Sequence, residues 1–406
     1  MNDLNKKKVV LDTNIFMQQL EHIEDNFDKY QFVLTTITLE ELDNMKFSQN
    51  QDKAYKARSA IRFIEQYEEE FEFVINDKLK SLTDWVVKND NLILDVAKLL
   101  DCAIAAHDKA VKIKALKMGV EFVELDKKDM EKYTGWKIVE MDDYELANWY
   151  SDDEKFNKWG LLLGQYLLIK NNGQFVDTWK WSKDGFSVVS NKKISSVAMG
   201  NFKPKDIYQK CLVDSILSNK ITLVKGKPGS GKSLTTLQCA LNQIESGRFN
   251  KLICFVNPLP VANSSKLGFY PGTRDEKVLE SSAGAILGSK MGMDTVHIMM
   301  NGNKLEIIPM CDIRGYDTSG SNSIVWVQEA QNNSIDLIKL ALQRIGEDCK
   351  VILDGDFEAQ VDSLAFANGN NGMRRVSEVF RGQDIYGEVE LPIIYRSKIA
   401  GIADKL

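Results

Sequence analysis

Gly226-Lys227-Pro228-Gly229-Ser230-Gly231-Lys232-Ser233 sets three glycines, two lysines and two hydroxyls at the spacing of a phosphate-binding loop. Glycine carries no Cβ, so backbone N–H groups can curl around a phosphate that a side chain would obstruct. A helix beginning at the end of the loop turns its positive end to the same anion. In that arrangement Lys232 reaches the β- and γ-phosphates of a nucleotide, and the Ser233 hydroxyl faces Mg²⁺. The expected ATP-binding set is these eight residues together with Leu234. The apolar run Ile221-Thr222-Leu223-Val224 supplies the strand that delivers the loop, and the pattern from Leu234 to Ile244 supplies the helix.

A second set of residues is acidic. Asp12 follows the β-type run Lys8-Val9-Val10-Leu11, where open α/β sheets place their ligands. Glu41 follows the run Phe32 to Ile37, and the Thr38 to Glu41 spacing is that of a helix-capping box. Asp90 opens the helical pattern Asn89 to Leu94. Asp108 follows the apolar Cys102-Ala103-Ile104-Ala105-Ala106 and His107, and precedes the basic helical stretch Lys109 to Lys117. Each acid alone is equally well explained as a helix cap. Brought together, four carboxylates repel one another unless divalent cations neutralise them. Mg²⁺ or Mn²⁺ held by such oxygens can activate water for phosphodiester hydrolysis.

The elements that must position these two sets fall in separate parts of the chain. Residues 1–130 alternate short apolar runs with helical patterns. Residues 131–200 hold five of the seven tryptophans and read as a small β-rich connecting module: Gln165 to Lys170, Phe175 to Trp181 and Phe186 to Val189 are separated by turn signals such as Asn171-Asn172-Gly173. These aromatics are expected to fill a small core rather than to stack nucleic-acid bases. Residues 201–406 carry the loop and the continuous apolar runs Leu252 to Val256, Ser323 to Val327 and Val351 to Leu353, the signature of a buried parallel sheet.

Composition sets bounds on this reading. A chain of 406 residues with 44% hydrophobic content suits two or three globular domains. The sequence lacks an apolar stretch long enough to span a bilayer and a signal-peptide core, so a cytoplasmic location is expected without membrane contact. The six cysteines are widely spaced and read as reduced thiols, mostly buried. A net charge of -6 provides no global attraction for nucleic acid, so any such binding needs a local basic face.

The quoted motifs carry two family resemblances. Val10-Leu11-Asp12-Thr13-Asn14, Glu41-Leu42-Asp43, Asp90-Asn91-Leu92-Ile93-Leu94 and His107 to Ala115 resemble the PIN ribonuclease domain, whose metal-binding acids would fall on Asp12, Glu41, Asp90 and Asp108. His107 reads as a neighbour of this set and not as a ligand. The remainder is similar to PhoH-like ATPases, which share the nucleotide-binding core of superfamily-one helicases. The likeness rests on the loop, Lys266 to Gly272, Ile313-Arg314-Gly315, Glu329-Ala330-Gln331-Asn332, Gly355-Asp356 with Gln360, and Tyr395-Arg396-Ser397. A PIN domain ahead of such an ATPase is itself a known arrangement.

The resemblance implies an N-terminal PIN-like α/β domain and a C-terminal P-loop NTPase domain with a parallel sheet. It implies RNA as partner, RNA unwinding coupled to metal-dependent cleavage, and a homo-oligomer in the form of a hexameric ring. By position Glu329 would polarise the attacking water, Gln360 would sense the γ-phosphate and Gln209, beside Tyr208, would read adenine. Arg396 is the leading arginine for stabilising transition-state charge, with Arg314 and Arg344 as further choices. Two positions depart from the family. Gln328 stands where the family has an aspartate supporting Mg²⁺, so weaker metal affinity or slower turnover is expected, and Asn257-Pro258 replaces Arg-Pro. An ATP-regulated ribonuclease without unwinding and a nucleotide-gated RNA-binding module remain as alternatives.

Overall fold

The computed structural model describes residues 6–48, 51–75, 89–125, 133–152, 155–256, 282–356 and 371–395. The chain divides into two compact units, Met1–Lys132 and Tyr133–Leu406. Both are of the α/β class.

In the first unit β1 (Lys7–Leu11), β2 (Tyr30–Thr35), β3 (Phe71–Val74) and β4 (Ala103–Ala105) form one parallel sheet in the order β3-β2-β1-β4. Successive side chains of a strand point to opposite faces. Val10 and Ile104 therefore pack with Leu94 and Val111 on one side, while Val9, Leu11 and Phe32 pack with Phe16 and Leu42 on the other. Burial on both faces is why these strands read as unbroken apolar runs.

The helix expected to be capped by Thr38 begins three residues sooner. It spans Thr36–Met45, and the Thr35 hydroxyl accepts from the Thr38 N–H at 3.2 Å. The physical reason is that β2 ends at Thr35, whose side chain caps the turn directly, while the Thr38 hydroxyl donates to the Leu11 carbonyl of the neighbouring strand at 3.3 Å. Glu41 thus stands inside the helix rather than at its start.

The second unit holds two larger sheets. β5 (Trp136–Glu140), β6 (Tyr166–Asn171), β7 (Gln174–Ser182) and β8 (Gly185–Val188) make the first, and a short antiparallel pair, β9 (Ile194–Ser196) and β10 (Gly200–Phe202), follows. β11 (Ile221–Lys225), β12 (Lys251–Val256), β13 (Leu305–Pro309), β14 (Ser323–Val327), β15 (Lys350–Gly355) and β16 (Tyr386–Glu390) make a six-stranded parallel sheet in the order β13-β12-β14-β15-β11-β16. The stretch expected as a connecting module shares its core with this sheet. On β6, Tyr166 and Leu168 join Leu212, Leu237 and Val389, while the alternating Leu167 and Ile169 join Trp149 and Trp179. The Trp149 ring lies 5.3 Å from that of Trp159 and 5.4 Å from that of Trp179, so three tryptophans fill a core as the sequence suggested. Five of the six cysteines are buried thiols and Cys311 is an exposed one. Among the described residues no helix is long and apolar enough to cross a membrane.

Below the phosphate loop, Lys225 at the end of β11 pairs with Glu388 of β16 at 2.7 Å, both side chains buried. Ser377 and Tyr386 donate to the other Glu388 oxygen at 2.7 and 2.8 Å. Removing one partner of a buried pair leaves an uncompensated charge, which costs about 3–5 kcal/mol, whereas removing both is often near neutral. Lys225→Met should therefore lower the unfolding free energy of this unit by about that amount, and Lys225→Met with Glu388→Gln should recover most of it. Denaturant melts of both variants check this; a double variant as unstable as the single one would refute it.

Candidate functional site

The phosphate loop follows β11 directly, and the helix Lys232–Glu245 begins at its end. Gly231, the residue before that helix, has φ of 94°, and a Cβ there would stand 2.7 Å from Nε2 of Gln209. At Gly226 a Cβ would meet the Leu391 carbonyl at 2.7 Å. Both glycines are thus imposed by close neighbours as well as by the loop's own curvature. Among the described residues the helix start has no side-chain cap, and the buried Ser230 hydroxyl has no hydrogen-bond partner. Unfilled donors around a curled backbone fit a polyphosphate. Lys232 is buried and its ammonium donates to the Gly226 carbonyl.

Two neighbouring strand ends, those of β14 and β15, deliver the rest of this site. Ser233 donates to Oδ2 of Asp354 at 3.1 Å, and the backbone N–H of Glu329 donates to Oδ1 of the same carboxylate at 3.2 Å. Asp354 is buried at the end of β15, the strand between β11 and β14. Burial is the larger cause that raises its pKa, Glu329 adds to the rise, and the Lys232 ammonium opposes it. Glu329 itself occupies the left-handed region at φ 46°, ψ 48°, a conformation that costs a non-glycine residue about 1–3 kcal/mol and that clusters at functional sites. Its Oε2 accepts from Nε2 of Gln331 at 2.6 Å.

Gln209 is buried against the loop. Its Nε2 donates to the Ser230 carbonyl at 3.1 Å and its Oε1 accepts from the Lys205 N–H at 3.0 Å. In this arrangement the Nε2 end of the amide braces the loop and the Oε1 end holds the chain at Lys205. The Tyr208 ring packs on Trp136 at 4.9 Å. Tyr395 reaches the same region, its N–H donating to the Gly229 carbonyl at 2.9 Å. Arg314 is exposed in the turn after the edge strand β13, and half-buried Arg344 precedes β15, at the end of the sheet opposite the loop. Gln360, Arg396, Asn257-Pro258 and Lys266 to Gly272 lie outside the described residues.

In the first unit, Asp12 follows β1 and accepts from the Asn14 N–H at 3.3 Å, so it caps the helix Thr13–Gln18. It is buried, and its pKa rises to about 6, first by burial and then by the charges of Asp90 and Glu41. Asp90 lies in the first turn of the helix Asn89–Leu99. Glu41 accepts from the Thr13 hydroxyl and, at 2.7 Å, from the Asn89 amide. Asp108 follows β4 on the strand beside β1, is exposed, and caps the helix Lys109–Met118 through the Ala110 N–H at 2.7 Å. The cap reading applies to Asp12 and Asp108; the charges of Asp90 and Glu41 act on Asp12, and Asp108 stands at the adjoining strand end. The all-oxygen, negatively charged donor set fits a hard divalent cation. Among the described residues no three such side chains are gathered closely enough to form a metal cage, and Glu41 is held by Thr13 and Asn89 instead.

Comparison with known proteins matches the same two units. Residues 9–126 match the family described as PIN domain, and residues 201–400 match the family described as PhoH-like protein. A Bacillus subtilis "Protein PhoH2" is 26% identical, with 98% of this chain and 99% of that protein covered. A Thermobispora bispora "Protein PhoH2" is 23% identical over 100% of this chain and 97% of its own. A second B. subtilis relative, a "PhoH-like protein", is 28% identical over 59% of this chain and 77% of its own.

The chain is a PIN–PhoH fusion. A P-loop ATPase unit joined to a nuclease-type unit points to hydrolase chemistry and an ATP-linked, RNA-related role.

Sequence reasoning missed Asp354, the carboxylate that touches Ser233. The available signal was the one used for Asp12, an acid at the carboxyl end of an otherwise apolar strand. It also missed Thr13 and Asn89, whose contacts with Glu41 depend on helices far apart in sequence.

The Asp12 shift corresponds to about 3 kcal/mol when that carboxylate is ionised in the fold. A carboxylate whose folded pKa lies above its unfolded value favours the fold most below the unfolded value and loses that contribution as pH rises through about 6. Asp12→Asn keeps a capping side chain without the charge. In metal-free buffer, Asp12→Asn and the parent should melt alike near pH 4, and the variant should gain by several degrees between pH 5 and 7. Calorimetry of the PIN transition at each pH checks this; a difference that does not vary with pH would refute it.

Proposed function

We propose that the PIN–PhoH chain is an ATP-dependent RNA-processing enzyme, in which the PhoH unit hydrolyses ATP to unwind or remodel RNA and the PIN unit cleaves RNA with a divalent metal. The observation that carries the reading is the convergence of Lys232, Ser233, Asp354 and Glu329 at adjoining ends of β11, β14 and β15. Such convergence suits a phosphoryl-transfer centre, where positioning and charge stabilisation do most of the catalytic work.

In this mechanism the glycine loop and Lys232 bind and orient the phosphates. Ser233 would hold the Mg²⁺ that accompanies the nucleotide, which would supply positive charge against the phosphates. Gln331 anchors Oε2 of Glu329, and Oε1 accepts the proton of the attacking water. Gln360 senses the γ-phosphate, and Arg396 supplies positive charge from the same or a neighbouring subunit of a homo-oligomeric, hexameric ring. In the PIN unit Asp12, Glu41, Asp90 and Asp108 would hold Mg²⁺ or Mn²⁺, which when bound would supply an activated water for hydrolysis of the phosphodiester. Gln209, which braces the loop through Ser230, is in this reading also the residue that reads adenine. The protein acts in the cytoplasm.

Lys232→Ala removes the cationic partner of the β/γ-phosphates, a charge-assisted contact worth about 1.5–3 kcal/mol before any transition-state effect. ATP hydrolysis should fall at least a hundredfold, and metal-dependent cleavage of unstructured RNA should continue. Phosphate release and RNA cleavage by the same preparation check this, with single-stranded RNA present and omitted. Hydrolysis by Lys232→Ala at the parent rate would refute the site. An RNA-independent parent ATPase that leaves duplex RNA intact would leave nucleotide as a regulator of the nuclease rather than fuel for unwinding.

A further inference from the structure

Gln328 leaves the catalytic strand β14 without the acid that commonly precedes the catalytic glutamate in this kind of site. The register of the sheet shows where a carboxylate stands instead. β14 and β15 run parallel with Val327 beside Leu353, so the next residues, Gln328 and Asp354, are side by side at adjoining strand ends. Residues paired in this way point to the same face of a sheet. β15 also pairs with β11, with Asp354 beside Val224, two residues before the loop begins. Asp354 therefore presents on the face and at the level of Gln328, one strand nearer to the phosphate loop, a displacement of about 4.8 Å.

Its contacts match that place. One oxygen accepts from the Ser233 hydroxyl at 3.1 Å and the other from the Glu329 N–H at 3.2 Å, so a single carboxylate ties the loop hydroxyl to the catalytic glutamate. Gln328 behaves differently: it is buried, and among the described residues its Nε2 has no hydrogen-bond partner. A buried amide donor without an acceptor is unsuited to a cation, whereas a buried carboxylate beside Glu329 accumulates negative charge that a cation relieves.

We infer that Asp354 supplies, from the strand next to the loop, the carboxylate missing at position 328, and with Ser233 holds the Mg²⁺ that accompanies ATP. The inference rests on the ATP reading of the loop. It also replaces the expectation of a weakened metal site drawn from Gln328 alone, because the charge has moved across one strand and is not lost. Asp354 is a metal-binding and positioning residue here, with Glu329 left to act on water.

The test measures binding rather than turnover. A fluorescent non-hydrolysable ATP analogue is titrated into the full chain in EDTA and in Mg²⁺, and Mn²⁺ in the presence of the same analogue is followed by electron paramagnetic resonance. The parent should bind the analogue at least tenfold more tightly with Mg²⁺. Asp354→Asn, which keeps the shape of the side chain, should bind at least as tightly as the parent in EDTA, since a negative charge beside the phosphates is removed, and should lose most of that enhancement. Asp354→Asn with Gln328→Asp should recover part of it, and Gln328→Asp alone should give no gain. Equal Mg²⁺ enhancement in the parent and Asp354→Asn, or tighter Mg²⁺ binding by Gln328→Asp alone, would overturn the inference while leaving the nucleotide site intact. A parent that binds no analogue under either condition would overturn the ATP reading, and the inference with it.

Discussion

Parallel strands carry all their carboxyl ends to one edge of a sheet, and the chemistry of both units depends on that constraint. In the PIN unit Asp12 follows β1 and Asp108 follows β4 at that edge, and helices bring Glu41 and Asp90 within charge range of Asp12. In the PhoH unit the edge gathers the phosphate loop after β11, Asp354 on β15 and Glu329 after β14. The connections between parallel strands run over the faces, so helices bury both sides of each sheet and the edge remains the place for ligands.

What is placed at those edges is not the lowest-energy arrangement for the chain by itself. Asp12 is buried with two other acids near it, Asp354 is buried beside Glu329, and Glu329 holds a left-handed backbone. Each departs from what a stable fold would select, and rigid neighbours sustain each. Asp12 is fixed by its cap to Asn14, Asp354 by Ser233 and the Glu329 N–H, and Glu329 by Gln331. A cation suits such stress because its charge offsets the repulsion among the acids.

The stretch 133–202 illustrates how one strand serves two cores. Along β6, alternate side chains face the P-loop helices and the tryptophan cluster, so the sheet is an integral wall of the PhoH unit. Trp136 extends this tie: its indole N–H donates to the Glu390 carbonyl at 2.9 Å, and its ring packs on Tyr208 beside Gln209. Gln209 in turn braces the Ser230 carbonyl of the loop.

Much of this was written locally in the chain. The loop from Gly226 to Ser233 declares itself because its glycines, lysine and serine act within one turn of backbone, and the apolar runs of β1, β11, β12 and β14 follow from burial on both faces. Asp12 and Asp108 were legible as acids at strand ends, since strand, acid and helix are contiguous. The sequence did not reveal β3, a four-residue strand with no fully buried residue, nor the cap at Thr35, where one hydroxyl outcompetes another three residues on. Nor did it single out Asp354, because a reading along one strand cannot see which residue of the neighbouring strand lies beside Gln328. Strand order and register decide which side chains become neighbours, and they depend on packing between segments distant in sequence. For that reason the motifs were fixed by the chain, whereas the place of Asp354 against Ser233, the bracing role of Gln209 and the restraint of Glu41 by Thr13 and Asn89 were decided only by the tertiary structure.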